Sequence, residues 1–135
     1  MDVFSSLPVT LVFIALFTLI QIPMTIAVGF RRLQSDIHFL DGGDQTLLRR
    51  MRAHANFTET VPISLIAMAA AELAGAPHLL LWIGGGALLL GRLTHYDTLT
   101  RLGWGNGRAI GMLLTMTPMF IFPIYVLLKL AGLPV

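Results

Sequence analysis

Residues 3 to 30, VFSSLPVTLVFIALFTLIQIPMTIAVGF, carry no formal charge over 28 positions. A helix needs about 20 apolar residues to cross the hydrocarbon core of a bilayer, so this stretch crosses it with length to spare for tilt. It does not read as a removable leader, because the chain opens with Asp2 instead of a basic residue and the apolar run is too long. Pro8 stands near the start of the span, and Pro23 marks a kink within it. The whole 135-residue chain agrees: it is 56% hydrophobic and 12% charged, with a mean hydropathy of +0.79. That is roughly half the charge of a soluble domain, which excludes an ordinary water-soluble globule. Disorder is excluded by the same hydrophobicity, and no repeat period points to a solenoid. An integral membrane protein remains, with room in residues 1 to 135 for one all-α domain of about four spans.

Working outward, Arg31 to Gln45 is polar and reads as a connection, with the turn signal Asp41-Gly42-Gly43-Asp44. Asp44 and Thr46 are alternative N-caps for a helix over about 46 to 74. That helix is two-toned: its first half holds Arg49, Arg50, Arg52, His54, Asn56 and Glu59, and its second half is almost wholly apolar. Gly75-Ala76-Pro77 breaks the chain before a third span over about 78 to 102, which carries Arg92, His95, Tyr96 and Asp97 towards its far end. Glycines at 103, 105 and 107 form the last turn, and the fourth span covers about 108 to 130.

Arg31, Arg32, Arg49, Arg50, Arg52, Arg101 and Arg108 all fall at the first and third connections, against Lys129 alone on the other side. The excess of positive charge predicts that those connections face the cytoplasm and both termini lie outside. Such short connections make an up-and-down antiparallel four-helix bundle. The basic residues bracket apolar runs, so the pI near 9.7 reports membrane topology and not nucleic-acid binding. The absence of cysteine excludes disulfides, thiolate zinc sites and a cysteine nucleophile. Any thiol chemistry would have to use a thiol brought by a substrate.

An ionisable group in a membrane helix faces the interior or a wet cavity and has a partner. Arg52, Asn56 and Glu59, spaced i, i+4, i+7, stack a cation, an amide and a carboxylate on one face that could hold a small zwitterion. Arg92, His95, Tyr96 and Leu99 make a second mixed face at the same depth, and the two faces could line a single cleft. The plainer alternative is that Glu59 and Arg92 pair only to hold two helices in register. Arg49 and Arg50 read as topology determinants and headgroup contacts. His54 and His95 have no third ligand at fixed spacing, so no metal site is expected. The glycine clusters do not follow a strand and make no dinucleotide fingerprint.

The segment Arg52-Ala53-His54-Ala55-Asn56-Phe57-Thr58-Glu59-Thr60-Val61-Pro62 resembles the second-helix signature of the MAPEG superfamily, the membrane-associated proteins in eicosanoid and glutathione metabolism. Gly91-Arg92-Leu93-Thr94-His95-Tyr96 is similar to the third-helix motif of that family, and Arg108 falls where one branch has a catalytic arginine opening helix four. The resemblance implies a homotrimer of four-helix subunits, with glutathione held between neighbours near the cytoplasmic face. It implies that Arg52, Asn56 and Glu59 bind the charged ends of glutathione with His54 adjacent, and that Arg31 or Arg32 forms the opposite wall. His95 would line the site beside Arg92 and Tyr96, and Arg108, with Arg31, would be catalytic. Leu99 stands where several members have tyrosine, and Ala109 where one branch has serine. The compact connections are more similar to bacterial members, implying an inner-membrane location.

The residue types suit that chemistry. A fixed guanidinium favours the thiolate over the thiol, and the thiolate is the nucleophile. Arginine keeps its proton at working pH, so it acts through charge and hydrogen bonds. The resemblance implies a glutathione transferase acting on lipophilic electrophiles from the bilayer, or a reductase of lipid peroxides. A non-catalytic binding or scaffold protein of the same fold is the alternative, favoured by Leu99 and Ala109. A small transporter using Glu59 and Arg92 ranks last, because the polar residues gather at one face.

Overall fold

The computed structural model describes residues 3 to 135; Asp2, whose charge argued against a leader, lies outside them. The described residues are helical throughout apart from short connections: α1 (Val3–Ser6), α2 (Pro8–Ser35), α3 (Gln45–Leu73), α4 (His78–Arg101) and α5 (Asn106–Leu130). The one-turn α1 leads into α2, so four long helices make the bundle. Each of α2 to α5 packs on its chain neighbour, and α3 also meets α5 while α2 meets α4. α2 and α5 are long and apolar enough to cross a membrane. Their outward faces display large apolar side chains, such as Leu19, Ile26, Leu113 and Leu127, each more than 60% exposed. Water does not tolerate such a surface, whereas a lipid phase solvates it.

Arg31 to Ser35, read from the sequence as the start of the first connection, forms instead the last turn of α2. Neither arginine breaks a helix, and the stop comes at Asp36, which adopts the left-handed conformation and donates its N–H to Arg32 O. Asp44, of the two possible caps, is the residue that opens α3, its Oδ1 accepting from Leu47 N–H at 2.9 Å. Its other oxygen accepts from Arg31 Nη2 at 2.6 Å, tying the end of α2 to the start of α3. The Leu47 N–H first and Arg31 second hold this carboxyl below the ordinary aspartate range. A depressed carboxyl stabilises the fold above its unfolded pKa and loses that contribution as pH falls through its folded value. We expect the wild-type protein to lose an increment of thermal stability below pH about 4 that Asp44→Asn lacks. Parallel acid profiles for the two proteins would contradict this.

Pro8 at the first position and Leu7 at the N-cap leave α2 without a side-chain cap of its own. Glu72 supplies one from the far end of α3. Only 7% exposed, its carboxylate accepts the N–H of Val9 at 2.9 Å and of Thr10 at 2.8 Å. A carboxylate suits the positive end of a helix dipole, and these two bonds join the ends of α2 and α3. Beneath it the aromatic core runs along the bundle axis. Phe13 meets Trp82, Phe17 meets Phe57, and Phe122 lies fully buried. At the same end Tyr125 donates to Gly75 O at 3.0 Å, fastening α5 to the α3–α4 turn.

α4 and α5 touch backbone to backbone at the level of the polar residues. A Cβ on Gly91 would stand 2.8 Å from Gly111 O, and a Cβ on Gly111 would stand 2.7 Å from Gly91 O. Small residues permit this approach, which places Arg92 and His95 directly against α5. Gly111→Ala is therefore expected to cost about 1–3 kcal/mol through overpacking against rigid backbone. The check is the midpoint of thermal unfolding in detergent, and an unchanged midpoint would show that the helices can separate freely.

Candidate functional site

The close α4–α5 contact shapes a cavity of about 130 Å³ at the end of the bundle formed by the first and third connections, lined by Arg52, Asn56, His95, Leu99 and Arg108. Each helix delivers its residues by ordinary spacing. Arg52 and Asn56 lie one turn apart on α3, His95 and Leu99 one turn apart on α4, and Arg108 opens α5. Arg108 stacks on Trp104, its guanidinium carbon 4.8 Å from the ring centroid, which holds the side chain over the turn. The N-terminal N–H groups of α5 add positive potential at the same place. Among the described residues, no carboxylate lines the cavity. Two guanidiniums, an imidazole, an amide and a helix N-terminus make a compartment that favours an anion.

Arg92 lies on α4 one turn before His95, outside the cavity lining. It is 3% exposed, and its Nη1 donates to Asn56 Oδ1 and to Thr60 Oγ1, the latter at 3.3 Å. Its Nη2 donates to Gly111 O at 3.3 Å and approaches Met112 Sδ. Among the described residues it has no carboxylate partner, and its buried Nε has no hydrogen-bond acceptor. Arg92 thereby ties α4 to Asn56 and Thr60 of α3 and to Gly111 of α5. Glu59 lies on the exposed face of α3, and within one chain it neither pairs with Arg92 nor lines the cavity.

The remaining candidates are distributed around this centre. His95 faces the cavity, whereas Tyr96, one residue on, faces a separate apolar cleft between α2 and α4. His54 shares a hydrogen bond of 3.0 Å with Thr25, joining α3 to α2. Arg31 is engaged by Asp44, and Arg32 donates to Ile37 O and Leu40 O, pinning the first connection. Within one chain neither Arg31 nor Arg32 lines the cavity. Arg49 donates to Arg101 O at the C-terminal end of α4, and Arg50 to Ala27 O of α2, so both also hold the helices together. Trp104 went unmarked in the sequence reading, although an aromatic residue four positions before a helix-opening arginine signals a stacking partner.

The MAPEG family profile matches residues 10 to 128 of the chain, a span that reaches into all four long helices. Two curated relatives, each called inner membrane protein YecN, come from Escherichia coli strain K12 and Escherichia coli O6:H1 strain CFT073. Each is 38% identical over 65 residues, covering 48% of this chain and 50% of the relative. The match thus spans about half the length of the curated relatives. No solved structure matches the chain.

Proposed function

Because the chain belongs to the MAPEG family, we propose that it is a glutathione-dependent enzyme of the bacterial inner membrane, moving the glutathione thiolate onto lipophilic electrophiles or using it to reduce lipid peroxides. One observation carries this reading: the convergence of Arg52, Asn56, His95 and Arg108 on a cavity with no lining carboxylate. Glutathione brings two carboxylates and a thiol, and the donor set fits them. The cavity is large enough for one end of the tripeptide, so Arg108 would hold the thiolate and Arg52 and Asn56 a carboxylate. The amino end would extend past the cavity mouth towards the exposed Glu59. In a homotrimer a neighbouring subunit would cover that face and present Arg31 or Arg32 to it. The name of the curated relatives supports the inner-membrane location. The clustered arginines support a cytoplasmic site, with both termini on the opposite side.

Glutathione supplies the nucleophile. The protein's part is to keep a positive field at the sulfur, since arginine remains protonated throughout and cannot act as the base. The test is loss of the free glutathione thiol when the protein in proteoliposomes meets a lipophilic aryl halide, an α,β-unsaturated carbonyl or a fatty hydroperoxide. Consumption dependent on the protein and on at least one electrophile supports the reading, and no consumption with any of the three overturns it. A second reading, a binding or scaffold protein without turnover, is favoured by Leu99. It is 7% exposed and puts an apolar wall in the cavity where a hydroxyl would assist the sulfur. That reading expects glutathione to bind and not to be consumed.

A further inference from the structure

A second opening lies nearer the end of the bundle than the polar cavity, between the first turns of α3 and the α4–α5 turn. It holds about 320 Å³ and joins Gln45, Arg49 and Arg52 of α3 to Leu102, Gly103 and Trp104 of the turn. The three α3 residues share one face at i, i+4, i+7. Arg49 is held in place there. A Cβ on Gly103, whose φ is +77°, would stand 2.8 Å from Arg49 Nε and 2.9 Å from its Cζ, so glycine is what lets the guanidinium lie against the turn. Arg49 Nη1 donates to Arg101 O at 3.3 Å, which leaves most of its five N–H groups free to donate elsewhere. Arg52 has no hydrogen-bond or ion-pair partner among the described residues. No carboxylate among them lines the opening, and the two acidic residues on the adjoining helix turns are already taken, Asp44 by Arg31 and Asp97 by Arg101. The other wall is apolar: Leu102 is 68% exposed and Trp104 79%. A tryptophan displayed in this way, where the apolar segments end, suits the boundary between hydrocarbon and headgroups.

We propose that this opening binds the phosphate of an anionic phospholipid, with Arg49 and Arg52 on the phosphate and the lipid's glycerol and first methylenes against Leu102 and Trp104. Guanidiniums take phosphate oxygens in pairs of charge-assisted hydrogen bonds. The leaflet that the clustered arginines face is the one that carries anionic lipid. A zwitterionic lipid offers the same phosphate, but its ammonium group would meet two guanidiniums and no free carboxylate. The proposal does not require the thiol reading, so its test omits glutathione.

Trp82→Phe leaves Trp104 as the one tryptophan of the two in the chain. This protein is placed in phosphatidylcholine vesicles, and phosphatidylglycerol brominated near the carbonyl end of its chains is added in steps. Brominated phosphatidylcholine is the comparison lipid. We expect half-maximal quenching of Trp104 at about a tenfold lower fraction of the anionic lipid, as charge-assisted hydrogen bonds supply. Arg49→Gln is expected to remove most of that preference, and Arg50→Gln, which loses the same charge from a residue outside the opening, to retain it. Equal quenching by the two lipids in the parent protein overturns the proposal whether or not the variants fold. An equal loss of preference in Arg49→Gln and Arg50→Gln also overturns it, by assigning the effect to the general field of the arginines. Glycerol 3-phosphate is the last arm, with sodium chloride at equal ionic strength as its blank. It is expected to leave the quenching unaltered at millimolar concentration, and reversal would reassign the opening to a soluble phosphate and overturn the lipid assignment.

Discussion

Arg108→Ala is expected to lower glutathione-dependent turnover about a hundred- to a thousandfold while leaving the protein folded, the loss typical of removing one preorganised donor from a developing or stored negative charge. The guanidinium lines the polar cavity and is held over the turn by Trp104, 4.8 Å away. It makes no side-chain hydrogen bond among the described residues, so its removal leaves no buried partner unsatisfied. Arg108→Lys keeps the charge but not the planar fork, and is expected to recover part of the turnover. Trp104→Ala frees the arginine to sample other rotamers and is expected to fall between the two. Wild-type turnover in Arg108→Ala would remove the residue from the mechanism. Loss of turnover accompanied by a lowered unfolding midpoint would assign it a structural role instead.

The second large effect lies at the opposite end of the bundle. Glu72→Ala leaves the Val9 and Thr10 N–H groups buried without acceptors, because Pro8 and Leu7 offer no local cap. Each stranded donor costs about 1–3 kcal/mol, and more where lipid excludes water. The midpoint of thermal unfolding is expected to fall accordingly, with the first turn of α2 exchanging its amide hydrogens much faster than in the wild type. Glu72→Gln keeps one acceptor oxygen and is expected to lose about half as much. A midpoint unaltered in Glu72→Ala would mean that water or lipid headgroups reach that helix end and satisfy it.

These two residues differ in how the sequence marks them. Arg108 is marked by the family resemblance, and the structure places it near the start of α5 on the polar cavity. Glu72 sits in a stretch read as almost wholly apolar, and its purpose depends on a helix more than 60 residues earlier whose N-cap, Leu7, has no side-chain acceptor for the first N–H groups. A carboxylate alone in an apolar run was a signal that some buried donor awaited it. The pairing of Arg52 with Asn56 was legible because both lie on one face one turn apart. The inclusion of Glu59 in the same array was not settled by spacing. Although helical periodicity keeps it near that face, Glu59 lies on the exposed side of α3, while Arg92 crosses from α4 to Asn56 and Thr60. The mixed face on α4 divides in the same manner. His95 and Leu99 turn to the polar cavity and Tyr96 to the apolar cleft, since neighbouring helical residues diverge by about 100°. Helix ends were the least legible feature, as the continuation of α2 through Arg31 and Arg32 shows. Charge in the sequence marked where the apolar segment stops, whereas the backbone stops at Asp36, where the left-handed turn begins.

The most direct measurement is a calorimetric titration of glutathione into the detergent-purified protein, alongside Asn56→Ala, Glu59→Gln and Arg108→Ala. Saturable binding in the wild type, weakened about tenfold or more in Arg108→Ala and Asn56→Ala and to a smaller degree in Glu59→Gln, is the expected result. An absence of heat and of saturation in folded wild-type protein, or affinities unchanged by all three substitutions, would contradict the assignment of the Arg52–Asn56–His95–Arg108 cavity to glutathione.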